Sequence, residues 1–409
     1  MNRRSFLALG LTGALSGIAG CSTAGFNVGS QSGVSTRTAT PDSTAQSTTS
    51  AGSSAVSGYE PPSEADLPIP ESELYRGVPQ DAIPAITEPK FAQDWSGLTL
   101  TFVDRLLNRH RTIEPRLQPD DRVIGVEDGE RARAYPLRIL NWHEIVNDTF
   151  GDPLLVTYCP LCASGLTAKR TVNGQETMFG VSGYLWNSAL VMYDHLSESL
   201  WSQIAAMAIR GEQTGTRLEL VPSTLTTWGT WHENHPDTEV LLPPPKSKTV
   251  NGAAGVRNYN DNPYASYQGD RRIGLGANEL PDHAADLHPK AQVLGVATDT
   301  AAKAYPLETV VDAGVINDTV GEVPVVVSVG KDDFTLVAYD RRVDGDILTF
   351  SKPSTTHLKA GGSRWTIASG QAVDGQHEGT VLSSVPQTQQ LFWFAWLDFN
   401  PNTAVYTPE

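Results

Sequence analysis

Short stretches of alternating and continuous apolar residues follow one another along the chain, and this pattern predicts β-strands more often than helices. Two pairs of such stretches flank Asp128-Gly129 and Asn173-Gly174, dipeptides that favour a tight turn between paired strands. The paired stretches are Arg122–Glu127 with Arg131–Tyr135 and Thr167–Val172 with Glu176–Val181. The apolar run Leu154–Tyr158 predicts a buried strand, and Ser188–Tyr193 and Ser199–Gln203 predict two more.

Helical patterns are fewer and shorter. Pro136–Leu140 and Ser223–Asn234 are candidate helices, with Ser223 or Thr224 as the N-cap of the second and Pro236 as its end. Trp95–His110 is a further candidate helix. The expected fold is therefore α+β and mainly β.

The body of the chain repeats itself, which predicts a tandem duplication of one β-rich domain. A shift of 170 residues places Val123 on Val293 and Asn147 on Asn317, and Ala134-Tyr135-Pro136-Leu137 recurs at residues 304–307. Later tryptophans match with slightly smaller shifts, as loop insertions would produce. Those pairs are Trp201 with Trp365, Trp228 with Trp393 and Trp231 with Trp396. The predicted repeats are residues 84–242 and 258–409, joined by a linker at 243–257, and the matched aromatic residues are expected to form the cores.

The two repeats differ in the residues that bind metals or carry out redox chemistry. His143, Cys159, Cys162 and His232 of the first repeat correspond to Ala313, Val329, Asp332 and Leu397 of the second. This asymmetry predicts one working site in the first repeat, with the second repeat as a degenerate partner.

The first twenty residues are typical of an export signal. Arg3-Arg4 precedes a short apolar run, which predicts a twin-arginine signal peptide. Ile18-Ala19-Gly20-Cys21 resembles a lipidation site, so Cys21 is the expected lipid anchor. Residues 21–83 are rich in Ser, Thr and Pro and predict a disordered tether. The expected location is the cell surface, on the outer face of the cytoplasmic membrane.

Charge narrows the possible partners. The 409 residues carry a net charge of −16, and only 9 of the 30 basic residues are lysine. A nucleic-acid-binding protein needs a basic surface, so this class is excluded. The acidic, lysine-poor balance is typical of a halophilic protein that stays soluble in very high salt.

The segment Cys159-Pro160-Leu161-Cys162 has three interpretations. Two thiolates at this spacing suit a soft metal such as copper or zinc, with His143 as third ligand and His232, His195 or Met192 as fourth. The pair also fits a thiol–disulfide redox site, although Ala163-Ser164-Gly165 starts a helix poorly. The third interpretation is a structural Cys159–Cys162 disulfide in an oxidising compartment.

Several motifs of the first repeat resemble those of the domain-of-unknown-function family 3179 (DUF3179). They are residues 132–148 (ARAYPLRILNWHEIVND), TYCPLC at 157–162, FGVSG at 179–183, LVMYD at 190–194 and SLWSQ at 199–203. The resemblance implies a fold, export or membrane attachment in many members, and a pattern of polar residues; it supplies no reaction. The residues that carry over are Asn141, His143, Glu144, Cys159, Cys162, Tyr193, Asp194, Trp201 and Gln203.

Two functional hypotheses remain open from the sequence. The first is an anchored protein with a soft-metal or thiol redox site, which could handle copper or exchange electrons with a partner. The second is a non-enzymatic module with a Cys159–Cys162 disulfide and a small-ligand pocket. The candidate ligand-binding residues are Trp142, Glu144, Trp186 and Asp194. Whether the protein is an enzyme stays undecided, since no hydrolase motif occurs in the chain.

Overall fold

A computed structural model gives the architecture of the chain from residue 67 onward, apart from short gaps. The described residues are 67–104, 109–243, 246–249, 256–275, 280–281, 284, 286–385 and 388–408. The predicted signal peptide and Cys21 lie outside them. Residues 67–83, assigned to the tether by composition, belong to the body, because Tyr75 and Arg76 pair with a strand of the main unit and Ile69 is buried.

Residues up to 243 are called the first half. Its strands are β1 (Tyr75–Arg76), β2 (Phe91–Ala92), β3 (Leu100–Asp104), β4 (Arg109–Ile113), β5 (Arg122–Asp128), β6 (Arg131–Pro136), β7 (Ile145–Phe150), β8 (Asp152–Cys159), β9 (Ser164–Lys169), β10 (Thr171–Val172), β11 (Gln175–Glu176), β12 (Phe179–Trp186), β13 (Ala189–Asp194), β14 (Leu200–Ser202), β15 (Met207–Arg210), β16 (Thr224–Thr227) and β17 (Glu239–Leu241). Its helices are α1 (Leu137–His143) and α2 (Trp228–Asn234), with a 3-10 turn at Glu71–Glu73.

Residues from 256 onward are called the second half. Its strands are β18 (Gln292–Ala297), β19 (Ala302–Pro306), β20 (Val315–Val320), β21 (Val323–Val329), β22 (Leu336–Asp340), β23 (Arg342–Val343), β24 (Asp346–Ile347), β25 (His357–Ala360), β26 (Ser363–Thr366), β27 (Thr388–Phe392) and β28 (Ala404–Val405). Its helices are α3 (Ala265–Gln268), α4 (Leu307–Ala313) and α5 (Trp393–Phe399), with a 3-10 turn at Gly375–His377. The mainly β, α+β fold class is confirmed.

The main sheets of the two halves have the same topology. In the first half the order is β16-β5-β6-β17-β2, and β17 runs parallel to β6 while β16 and β5 are antiparallel. In the second half the order is β27-β18-β19-β28, in which β28 runs parallel to β19 as β17 does to β6, and no strand corresponds to β2. A three-stranded sheet follows each, β7-β8-β9 and β20-β21-β22. The first half adds a five-stranded sheet, β1-β12-β13-β14-β15.

Packing also matches between the halves. The Trp231 ring lies over Gly125 of β5 and its Nε1 donates to Thr238 Oγ1 at 2.9 Å. In the second half, Trp396 lies over Gly295 of β18 in the same way. Such correspondence is consistent with the predicted duplication, which stays a prediction.

The matched aromatic residues form the cores, as the sequence predicts. Trp201, Trp231, Trp365, Trp393 and Trp396 are all buried, as are Tyr135 and Tyr305. Trp228 is the exception and is half-buried. The largest apolar cluster joins the halves, since it includes Ile124 of β5 and Phe394 of α5.

Two predicted helices are wrong in whole or in part. Trp95–His110 contains no helix among its described residues; instead β3 and β4 form a hairpin in which Leu100 pairs with Ile113. Ser223–Asn234 begins as strand β16 and becomes helical only at Trp228, with Thr227 as the N-cap. The three β-branched threonines of Thr224–Thr227 favour the strand, because such side chains are restricted in a helix. Among the described residues, none of the helices has the length and apolar character needed to cross a membrane.

Candidate functional site

The Cys-Pro-Leu-Cys segment is the loop of the β8–β9 hairpin. Strand β8 ends at Cys159, which pairs with Ser164 of β9, and the Cys162 N–H donates to the Cys159 carbonyl oxygen at 3.2 Å. No helix follows, as the Ala-Ser-Gly sequence predicts. The loop places both thiols on one turn, and the cysteines are 2% and 0% exposed and not joined as a disulfide.

Hydrogen bonds hold this loop against two other parts of the body. The Cys162 sulfur lies 3.4 Å from the Ser188 carbonyl oxygen, just before strand β13. The Cys162 carbonyl oxygen accepts from the Phe392 N–H of β27 at 2.8 Å. The loop therefore lies where the first half meets the second.

The two thiols have different acidities. Burial raises the pKa of Cys159, but hydrogen bonds from the Cys162 thiol and from the N–H groups of Cys162, Leu190 and Leu161 outweigh burial, so this pKa is lowered. Burial raises the pKa of Cys162 well above its usual value, and hydrogen bonding to Cys159 adds to this effect. Cys159 is therefore the sulfur that carries a negative charge when one proton leaves the pair.

Glu144 brings a buried carboxyl group to the same place. It caps the C-terminal end of α1 with φ 57° and ψ −31°, and its carbonyl oxygen accepts from the Tyr158 N–H at 2.8 Å. Burial raises the pKa of its carboxyl group well above the usual value, and Cys159 raises it further. The equivalent cap of α4 is Gly314, with φ 72°. A side chain is thus kept at a position where glycine is the unstrained residue.

Replacing Glu144 by glycine is expected to raise the free energy of unfolding by about 1 kcal/mol, because the strain of a positive φ is removed. Urea denaturation measures the change. Glu144→Ala is the matched control, since it removes the carboxyl group and keeps the strained Cβ. A glycine variant less stable than the alanine variant would contradict the strain argument.

His143 has other partners than the cysteines. Its ring is fully buried, with Nδ1 2.9 Å from the Pro84 carbonyl oxygen and Nε2 3.0 Å from the Tyr259 hydroxyl group. Burial lowers the pKa of His143 to about 4, although the bond to Pro84 opposes the change. The neutral ring donates from Nδ1 and accepts at Nε2, so both nitrogens are occupied.

This buried histidine is expected to make stability depend on pH. The unfolded chain takes up a proton near pH 6.5, whereas folded His143 takes it up only near pH 4. The stability that the neutral His143 ring gives the folded protein is therefore fully present above pH 6.5, and it is lost as the pH falls toward 4. Between pH 7 and 4.5 the loss should be about 2 kcal/mol.

Urea denaturation of wild type and His143→Gln at both pH values tests this dependence. The variant should lose less stability than wild type on acidification, and the exposed His232→Gln should behave as wild type does. Equal losses in wild type and His143→Gln would refute the assignment.

The other sequence-predicted metal ligands are dispersed. His232 is exposed on α2, with its ring 5.0 Å from that of Trp228, and His195 stacks on Tyr193. Met192 is buried in β13. In the part of the chain that the structure describes, no three His, Cys, Asp or Glu side chains are grouped closely enough to hold a metal ion. The structure brings Cys159 and Cys162 together on one turn, and the Glu144 carboxyl group lies near enough to Cys159 for the thiol to raise its pKa.

The remaining ligand-binding candidates lie in different settings. Trp142 is half-buried beneath the Arg257 guanidinium, 5.6 Å from its ring centroid, and Trp186 is buried against Phe399. Within the described residues, neither indole N–H has an acceptor. Asp194 accepts from Trp201 Nε1 at 3.0 Å and from N–H and O–H groups of the following turn. Its carboxylate thus stabilises the fold.

Sequence analysis missed several groups around the cysteine loop. Tyr264 and Tyr267 come from the segment after the linker, and Tyr267 Oη donates to the Leu161 carbonyl oxygen at 3.0 Å. Asp398 comes from α5, and burial raises its pKa to about 7. Three tyrosines within residues 259–267 were the available signal, but nothing in the sequence indicates that they meet a loop about a hundred residues earlier.

Comparison with known proteins assigns the chain to a family. A family model described as "Protein of unknown function (DUF3179)" matches residues 80–403, most of the chain. Neither a curated protein nor a solved structure gives a match. The matched region includes both halves and every residue of the cysteine loop, and the chain belongs to the DUF3179 family.

Proposed function

We propose that the protein is an exported, lipid-anchored thiol redox protein whose site is the Cys159–Cys162 pair. The observation that carries this proposal is the placement of two unjoined cysteines on one hairpin loop, where hydrogen bonds lower the pKa of one thiol and the other stays protonated. A dithiol with one acidic thiol has the nucleophile and the resolving group that disulfide exchange needs. The export signal and Cys21 anchor are parts of the proposal that rest on the sequence.

The proposed reaction is exchange with a small-molecule disulfide. The Cys159 thiolate attacks one substrate sulfur and releases the first thiolate, forming a mixed disulfide. Cys162 then loses its proton and attacks the Cys159 sulfur, which releases the second thiolate and leaves a Cys159–Cys162 disulfide. The two released thiolates and the disulfide account for both electrons. Because both sulfurs are buried, a small molecule suits the site better than a folded protein partner.

Glu144 is the proposed acceptor of the Cys162 proton. Both Glu144 and Asp398 lie close enough to raise the pKa of Cys162. Burial raises the pKa of the Glu144 carboxyl group toward that of a thiol, so its ionised form is a stronger base than an ordinary carboxylate. Proton transfer between the two groups is then less unfavourable than with an ordinary carboxylate.

Thiol counting in buffers of graded reduction potential tests the redox proposal. With Cys21 replaced by serine, alkylation and mass spectrometry should find two free thiols under reducing conditions and none under oxidising conditions, with a two-electron transition between them. Cys159→Ser should abolish the transition and the reaction with a small disulfide. A pair that stays oxidised in every buffer would instead identify a structural disulfide in a non-enzymatic module.

Copper or zinc binding is the second candidate, favoured by the lowered pKa of Cys159, since metals bind the thiolate. With both nitrogens of His143 occupied, the ligands would be two sulfurs, which suits copper(I) better than tetrahedral zinc. Elemental analysis of protein purified under reducing conditions tests this candidate. Stoichiometric metal that is lost on Cys159→Ser would favour it over disulfide exchange.

A further inference from the structure

A polar cavity of about 260 Å³ is lined by Tyr158, the residue before Cys159, and the cysteines themselves do not line it. Its walls come from residues 120–122 at the start of β5, from α1 and from residues 260–268. Since a water molecule occupies about 30 Å³ of liquid, this volume holds a ligand of on the order of ten heavy atoms. The inference drawn from it does not depend on the dithiol proposal.

Arg122 lines the cavity, and its guanidinium group has no negative partner among the described residues. Arg122 lies with its guanidinium 4.1 Å from the centroid of the Phe334 ring. Burial lowers its pKa, and only Tyr158 opposes this shift. Within the described residues, Arg122 makes no ion pair and no side-chain hydrogen bond. A largely buried cation without a counter-charge is costly, and a bound carboxylate would remove that cost.

The other arginine of the cavity is already neutralised. Arg138 Nε lies 2.5 Å from Asp121 Oδ2, and the same oxygen accepts from the Gln118 N–H at 2.6 Å. Asp120 and Asp261 remain as exposed acidic groups, and Asn258 donates to Asp261. After internal pairing, the lining therefore offers one positive and two negative groups, so a simple anion would be repelled by the rim.

An unused hydrogen-bond acceptor completes the lining. The half-buried Asn141 side chain lines the cavity, and its Oδ1 atom has no donor among the described residues. The Nδ2 of the same amide is 3.5 Å from Asn262 Oδ1. A buried acceptor without a donor costs free energy, and an ammonium group of a ligand would satisfy it.

We propose that this cavity binds a small zwitterion of the α-amino-acid class, with its carboxylate on Arg122 and its ammonium group on Asn141 Oδ1 beside the acidic rim. The opposite charges of such a ligand match those that the lining leaves unpaired. An acid without an amine satisfies Arg122 alone, and an amine without an acid satisfies Asn141 alone.

Isothermal titration calorimetry with L-alanine, acetate and methylamine tests the proposal. Alanine should bind saturably at one site, and the two fragments should each bind at least about tenfold more weakly. Absence of saturable alanine binding would overturn the proposal, and so would acetate or methylamine binding as tightly as alanine.

Two substitutions locate the site, each taking the residue that the second half has at the equivalent position. Arg122→Gln, as at Gln292, should weaken alanine binding at least about tenfold, and Asn141→Val, as at Val311, about fivefold. Arg131→Gln is the matched control, because Arg131 is exposed on the adjoining strand and pairs with Asp128. Melting temperatures report whether each variant is folded. Folded Arg122→Gln and Asn141→Val variants with unchanged affinity would refute the assignment.

Discussion

Replacing Trp201 by alanine is expected to lower the free energy of unfolding by about 4 kcal/mol, the range observed for large buried aromatic side chains. The Trp201 ring is fully buried, packs edge-on against Phe179 with centroids 5.6 Å apart, and donates from Nε1 to Asp194 at 3.0 Å. Alanine leaves a cavity and removes one donor from a buried carboxylate, so two costs add.

Trp201→Phe separates these costs, since it retains most of the ring and lacks the N–H. It should cost about 1–2 kcal/mol. Trp365→Ala provides the comparison in the second half, where the indole donates to the Ala360 carbonyl oxygen at 3.1 Å. Urea denaturation measures all three variants. A Trp201→Ala loss below about 2 kcal/mol would show that the site collapses around the missing ring.

Gly125→Ala should lower the free energy of unfolding by about 3 kcal/mol, because an added methyl group overpacks the interior. A Cβ at Gly125 would lie 2.3 Å from Trp231 Cε3, far inside contact distance. The ring cannot move freely, since its Nε1 is bonded to Thr238 and the strand lies between β16 and β6.

Two further glycines control this experiment. Gly295→Ala should behave alike, because its Cβ would lie 2.1 Å from Trp396 Cε3. Gly269→Ala should change stability little, since the atom nearest to its added Cβ would be the Ala265 carbonyl oxygen, at 3.8 Å. Thermal or urea unfolding gives the three values. A tolerated alanine at Gly125 would mean that Trp231 repacks.

Local patterns predicted much of this fold because they report on neighbouring residues. The hairpin around Asp128-Gly129 formed as expected, with β5 paired to β6. Around Asn173-Gly174 the turn formed, but only two residue pairs join β10 to β11, and the rest of the predicted stretches pair with β8 and β13. The buried strand predicted at Leu154–Tyr158 also formed, as the middle of β8. Trp95–His110 failed because the spacing of apolar residues in a short segment does not separate a helix from a hairpin.

The site was predictable only in part, for a different reason. Two cysteines three residues apart meet in almost any turn, so their proximity follows from the sequence. The orientation of His143 does not, since Tyr259, which binds its Nε2, is 116 residues away. The sequence names Glu144 as a candidate ligand-binding residue, but its positive φ and its position beside Cys159 follow from the fold and are not visible in the sequence.

The bond from Phe392 to the Cys162 carbonyl oxygen gives the second half a reason to persist. That half lacks thiols at the matching loop, where Asp332 binds Thr227 of the first half instead. A gene shortened by its 3′ portion would encode a protein whose sulfur atoms face water on the side that β27 and α5 now cover. Under the proposed function, the second half would serve the redox loop by keeping solvent away from its thiols.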